Sequence, residues 1–215
     1  MYKVVVFDVD GTLFDTSEGI CNCINYVLEK NNKPTLSDEV LKKFIGPPIY
    51  KSFMDFCGID FDTAMKYTEE YRFHYVEQFI KQSKPYPDML NVLEHIKGEN
   101  IKLAIATLKT QKQIDALLFN EGLEDLFDVV RGVRVHGEKK DDILKSISEE
   151  LGISDYREMV LVGDTILDAE GAASIGVDFI GVTHGFGLRT EEDLKEYPYV
   201  ALCNNFIDVS KIIIK

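Results

Sequence analysis

The chain has 215 residues, 45% of them hydrophobic, enough for one large domain or for a core with a smaller insertion, and disorder is excluded. A formal charge of −13, from 37 acidic against 24 basic residues, argues against a nucleic-acid groove, which needs a basic surface. It leaves room for a small phosphorylated substrate in a locally positive pocket. No stretch reaches the ~20 apolar residues that cross a bilayer, and Asp8 and Asp10 interrupt the short apolar N-terminal run before it could serve as a signal peptide. Cys21, Cys23, Cys57 and Cys203 form no CxxC pair and read as free thiols. The expectation is a cytoplasmic protein with no nucleic-acid or membrane partner, either monomer or homodimer.

Taken in chain order, 3–7 (KVVVF) is a short strand apolar on both faces. The segments 101–107, 127–131, 159–163 and 177–182 repeat that character, which marks a parallel sheet covered by helices on both sides. Helical patterns at 88–97, 110–121, 140–151 and 166–175 supply the crossovers. The region 17–83 breaks the alternation and reads as helices only. Ile20, Ile24, Val27 and Leu28 share a helix face. In LSDEVLKKFIG, Ser37 stands where a cap belongs and Gly46 where the helix ends. A long helix is expected at 62–82, with Tyr67, Tyr71, Tyr75 and Phe79 packing along it. The fold expected is a doubly wound parallel sheet, residues 1–15 and 84–215, with a helical insertion at 16–83.

Chemistry concentrates at strand ends. In DVDGT, Asp8 and Asp10 lie two apart behind the first strand, where both can face one site. Two carboxylates ~4 Å apart repel by roughly 4 kcal/mol at an effective dielectric of 20, so one is protonated or a cation sits between them. The plain alternative is an Asp-rich turn. VLVGDTILDAEGA places Asp164 and Asp168 behind another apolar strand; a helix cap is the plain alternative for Asp164. Thr107 ends the strand in AIATLKT, where a hydroxyl and backbone amides can hold a phosphate at a helix start, or simply cap it. Lys139 and Lys140 precede a helix and by themselves read as solvated charges. His74, His95, His136 and His184 lack metal-ligand spacing; His184 is a candidate pocket residue, and Lys51 and Arg72 are candidate anion contacts.

DVDGT, then Thr107, then a lysine, then GDTILD resembles, in order and over nearly the whole chain, the haloacid dehalogenase superfamily of phosphohydrolases. LFDTSEGI, FIGPPI, YPDMLNVLEHIK and VTHGFG resemble its phosphoglycolate phosphatase-like branch, which includes 5′-nucleotidase-like members. The resemblance implies that Asp8 is the nucleophile and Asp10 the acid and base. It implies that Thr107, Leu108 through its N–H, and Lys140 hold the phosphoryl oxygens. Asp8, the Asp10 carbonyl and Asp164 would bind Mg²⁺, with Asp168 supporting metal and lysine. The insertion would be the helical cap, with Gly46, Pro47 and Pro48 facing substrate. Leu108 departs from the Ser or Asn often found there, and Lys139 remains an alternative to Lys140. The implied activity is Mg²⁺-dependent hydrolysis of a small phosphate monoester, phosphoglycolate first and a nucleoside monophosphate second. A phosphomutase and a catalytically inactive phosphate-binding protein are the remaining alternatives.

Overall fold

The structure, a computed structural model, describes residues 2–135 and 137–214; His136 lies outside them. The chain divides into two compact units, one running to Phe14 and resuming at Pro85, the other Asp15–Lys84.

The first unit begins with β1 (Val4–Phe7), whose four side chains are entirely buried. Each such apolar side chain contributes about 1.5–3 kcal/mol on leaving water, which is why so short a strand is stable at the centre of a sheet. The chain leaves and re-enters the unit through β2 (Phe14–Asp15) and β3 (Lys84–Pro85), which pair as a two-stranded ribbon.

Between them lies the helical unit. It comprises α1 (Ser17–Lys30), α2 (Asp38–Leu41) with a 3₁₀ turn at Lys42–Phe44, α3 (Ile49–Cys57) and α4 (Phe61–His74). The helix expected over 62–82 is three pieces. A π-helical turn, Tyr75–Phe79, and a 3₁₀ turn, Ile80–Gln82, follow α4. The backbone approaches α1 closely there: the Phe79 carbonyl oxygen lies 2.5 Å from where a Cβ on Gly19 would sit. Ser37 holds the N-cap position of α2 but makes no side-chain capping bond. That helix stops early because Phe44 turns inward to pack edge-on against Phe53, 5.3 Å between ring centres. The aromatic side chains do pack as the pattern suggests. Tyr67 meets Phe53 at 5.6 Å, and Tyr71 stacks on Tyr75 at 5.4 Å.

The first unit resumes with α5 (Met89–Gly98), β4 (Lys102–Thr110), α6 (Gln111–Glu121), β5 (Val129–Val133), α7 (Lys140–Leu151), β6 (Met159–Gly163), α8 (Ile166–Ile175), β7 (Asp178–Val182), β8 (Ala201–Cys203) and α9 (Phe206–Ile213). The six strands are ordered β5-β4-β1-β6-β7-β8, and all pair in parallel. On one face Val4, Val6, Ala104, Ala106 and Leu161 pack with Ile143, Leu144 and Ile147 of α7 and Ala169 and Ala172 of α8. On the other, Phe7 meets Phe206 of α9 at 6.3 Å. The sequence pattern did not anticipate β8, a three-residue strand joining β7 at the sheet margin. Among the described residues, no helix is long and apolar enough to cross a membrane.

Candidate active site

The chain runs outward from β1 through β4 to β5, then returns to β6 on the other side of β1. The carboxyl edge at such a reversal is where open parallel sheets bind ligands. Register brings three chain segments together there. Phe7 stands opposite Ile105 on one side and Val162 on the other, so Asp8, Thr107 and Asp164 emerge side by side. The Asp8 N–H still donates to the Val162 carbonyl at 2.9 Å.

Behind Asp8 the backbone closes tightly. The N–H groups of Leu13 and Phe14 both donate to the Val9 carbonyl at 3.0 Å, and Gly11 N–H donates to Phe14 at 2.9 Å. Gly11 takes φ +80°, and a Cβ there would fall 2.3 Å from Asp164 Oδ2. Any side chain would therefore displace Asp164, which explains the glycine of DVDGT.

Lys140 opens α7 and reaches inward. Its ammonium donates to Asp8 Oδ1 at 2.6 Å and to the Ala106 carbonyl at 2.8 Å, and it pairs with Asp168 Oδ1 at 2.8 Å. Gly171 of α8 leaves room for it, since a Cβ there would lie 2.6 Å from Lys140 Cβ. Lys139 is exposed at the N-cap, so of the two adjacent lysines it is Lys140 that meets the carboxylates. Burial by itself would lower the Lys140 pKa, but Asp168 and Asp8 together more than reverse it, and the ammonium is held protonated. For Asp8 burial raises the carboxyl, against the attraction of Lys140.

Asp168 has two tasks. Its Oδ2 accepts from Thr165 N–H at 3.1 Å and Thr165 Oγ1 at 2.6 Å, closing the N-terminus of α8, while Oδ1 faces Lys140. The cap of this helix is thus Thr165, not Asp164. Asp164 is fully buried and accepts from Phe186 N–H at 2.6 Å and Thr12 Oγ1 at 3.2 Å. Burial and then the neighbouring Asp168 push its carboxyl up to about 7, although those two donors pull the other way. Among the described residues, Asp8, Asp164 and Asp168 form the group able to hold a metal, with carboxylate oxygens within 4.8 Å of one another.

The segment after Ala106 differs from the sequence-based picture. Ala106 pairs with Arg131 and Thr110 with Val133, so β4 carries four steps where β5 carries two. Such a bulge redirects side chains at a strand end. Thr107 is buried, but it does not stand at the helix start. Thr110 caps α6 in a reciprocal pair with Gln113. The Thr107 hydroxyl instead accepts the Lys109 N–H at 3.2 Å. The Leu108 side chain packs against the core, which leaves its backbone as the group available to a ligand.

Lys109, absent from the sequence reading, is buried and pairs with Asp10 Oδ1 at 2.9 Å. A lysine two residues beyond Thr107 would share its face on a regular strand, but the bulge between Ala106 and Thr110 breaks that alternation, so the sequence carried no reliable signal for it.

His184 braces the first loop. Its Nε2 lies 3.1 Å from the Thr12 carbonyl and its ring 4.3 Å from Tyr86, and burial lowers its pKa. In the helical unit, Arg72 pairs with Glu69 at 2.7 Å and Lys51 is exposed. Gly46 takes φ +106°, Pro47 is exposed, and Pro48 is the N-cap of α3. Ile45 is buried within that unit.

Residues 5–182 match the Haloacid dehalogenase-like hydrolase family, and the chain belongs to it. The chain is 26% identical over 99% of its length to a 5′-nucleotidase of Pseudomonas aeruginosa, of which 96% is covered. It is 29% identical over 81% of its length to a phosphoglycolate phosphatase of Aquifex aeolicus, of which 81% is covered. A predicted phosphatase from Clostridium acetobutylicum superposes with a TM-score of 0.89 at 30% identity, covering 100% of this chain and 99% of that one. The fold, the family and these similarities identify a phosphatase.

Proposed function

We propose that this phosphatase hydrolyses a small phosphate monoester in two steps on Asp8, with Mg²⁺ held by Asp8, Asp164 and the main-chain carbonyl of Asp10. The observation that carries this reading is the Asp8 carboxylate at the end of β1, tethered by Lys140 at 2.6 Å beside the buried Asp164. The donor set is hard oxygen, which suits Mg²⁺. A carboxyl group pushed up to about 7, as Asp164 is, has its charge poorly compensated by the protein alone. When bound, the cation would offset repulsion between these carboxylates and an incoming phosphate dianion.

The protein groups then have distinct tasks. The Thr107 hydroxyl, the Leu108 N–H and the Lys140 ammonium are donors for the phosphoryl oxygens, where charge develops in the transition state. An Asp8 oxygen attacks phosphorus, and the bond to the leaving oxygen breaks as Asp10 gives that oxygen a proton. Water then attacks the phosphorus of the aspartyl-phosphate, Asp10 takes its proton, and orthophosphate leaves with Asp8 regenerated. General acid and base work of this kind contributes about 10²–10⁴-fold.

Phosphoglycolate is the first candidate substrate and a nucleoside 5′-monophosphate the second, supported by the names of the relatives above. Selection among esters is assigned to the helical unit, around the 46–48 turn and the start of α3. A panel of metabolite phosphates ranked by kcat/KM with Mg²⁺ tests the substrate, and Asp8→Asn tests the mechanism. The parent protein should acquire label from ³²P-substrate on acid quench, and Asp8→Asn should acquire none. Labelled Asp8→Asn would reject the nucleophile assignment.

A further inference from the structure

The site carboxylates are held in different ways. Lys140 contacts two of them, Asp8 and Asp168. Asp164 is held by two neutral N–H groups, of Phe186 and Gly187, and by the Thr12 hydroxyl. Asp10 has a lysine of its own, Lys109, at 2.9 Å. Burying a second ammonium costs several kcal/mol unless its geometry is good, so its presence at the sheet edge needs a reason.

The local backbone supplies one. The bulge between Ala106 and Thr110 turns Lys109 toward β1, and Gly132 on β5 makes that possible. A Cβ on Gly132 would lie 2.6 Å from the Lys109 carbonyl oxygen and 2.8 Å from Gln111 N. Gly132 N–H also donates to Gln111 Oε1 at 2.9 Å. On the other side, the turn after Val9 fixes the backbone around Asp10, whose side chain retains 19% exposure. The ion pair with Lys109 reaches that carboxylate from across the sheet.

We infer that Lys109 is a positioning residue for the reaction: it holds the Asp10 carboxylate in the one orientation from which it exchanges a proton with the leaving oxygen. The inference rests on the reading of Asp10 as acid and base.

A double-mutant cycle tests it, read as kcat/KM on an alkyl phosphate, which needs a proton on its leaving oxygen, and on p-nitrophenyl phosphate, which does not. Lys109→Met should lower the alkyl value about tenfold or more beyond any loss on the aryl ester, a part of the ~10²–10⁴-fold that the acid supplies. Adding Lys109→Met to Asp10→Asn should then change the alkyl value by less than about threefold, because residues acting through one another are not additive. Lys109→Arg, which keeps a cation, should return the alkyl-to-aryl ratio to within about fivefold of the parent, and it serves also if the Met variant does not fold. Equal losses on both esters, or full additivity with Asp10→Asn, would overturn the inference and leave a purely structural ion pair. If Lys109→Arg behaves as badly as Lys109→Met, the inference also fails. Harmless Lys109→Met beside a crippled Asp10→Asn rejects the role of Lys109 alone; a harmless Asp10→Asn rejects the acid–base reading itself, and the inference with it.

Discussion

At the carboxyl edge of the sheet, Asp8, Asp164, Asp168, Lys109 and Lys140 are all buried, whereas the interior of the helical unit is filled by Phe44, Phe53, Tyr67, Tyr71 and Tyr75. The polar groups that the helical unit buries are few and mostly neutral, such as Ser52, Thr68 and His74. Its charged groups stay at the surface: the Lys84–Glu18 pair, at 2.7 Å, is well exposed on both sides. An exposed pair of that kind contributes about 0–1 kcal/mol, while removing one member of a buried pair costs about 3–5 kcal/mol. Geometry at the sheet edge is therefore held by strong, mutually dependent contacts. The helical unit is held by apolar packing, and its surface residues are free to vary without loss of fold.

The largest effect that would break this contrast is at Lys140. Lys140→Ala strands Asp8 and Asp168 in a buried setting and should destabilise the protein by about 3–5 kcal/mol, with loss of turnover. Lys139→Ala, one residue away and exposed, should stay within about 0.5 kcal/mol and keep activity. Chemical denaturation and steady-state kinetics on the two variants decide it. Equal effects would mean that the edge is no more tightly coupled than the surface.

A second effect of similar or smaller size concerns Asp164. Its carboxyl is pushed up to about 7 in the folded protein, against 3.8 for the unperturbed group. Between those values the folded chain binds the proton that the unfolded chain has released, so stability from this group falls as pH rises through about 7 in chelator. At about 1.4 kcal/mol per unit the loss is on the order of 4 kcal/mol. Mg²⁺ needs the carboxylate, so the rise in Tm on adding Mg²⁺ should be greater at pH 8 than at pH 5.5. Asp164→Asn should raise the Tm of the chelated protein at pH 8 and cancel the response to Mg²⁺. A parent Tm in chelator that climbs from pH 5.5 to pH 8 by the same amount in Asp164→Asn would remove Asp164 from the account.

The smallest effect sharpens the other side of the contrast. Substituting Ile49 or Lys51 at the start of α3 should reorder a substrate panel by about 1–3 kcal/mol in kcat/KM ratios, with aryl phosphate hydrolysis kept within about tenfold. Ile45 belongs in a different class. It is buried, so Ile45→Ala should cost about 2–5 kcal/mol in stability, which thermal melts would register. A panel order indifferent to Ile49 and Lys51 would move selection elsewhere.

The sheet and its motifs were legible because their signals are local. Val4–Phe7 and Met159–Gly163 are continuous apolar runs, which only a strand buried on both faces requires, and each is followed at once by its carboxylate. DVDGT and GDTILD carry their glycines and acids within a few residues, so the resemblance they support needs no third dimension. The three-residue strand Ala201–Cys203 was not legible, because so short a run has no periodicity and exists by pairing with Ile180–Val182. The division of labour among charged groups was legible only in part: the resemblance pointed to Lys140 with Lys139 left open, and Lys140 is the one that meets Asp8 and Asp168. Thr110 rather than Thr107 as the cap of α6, and Lys109 beside Asp10, follow from strand register and from a bulge fitted over Gly132. Lys140 meets Asp8 across 132 positions of sequence and Thr12 meets Asp164 across 152. Which ammonium leaves water for which carboxylate is a matter of desolvation balanced against distance, and those distances exist only once the strands are side by side.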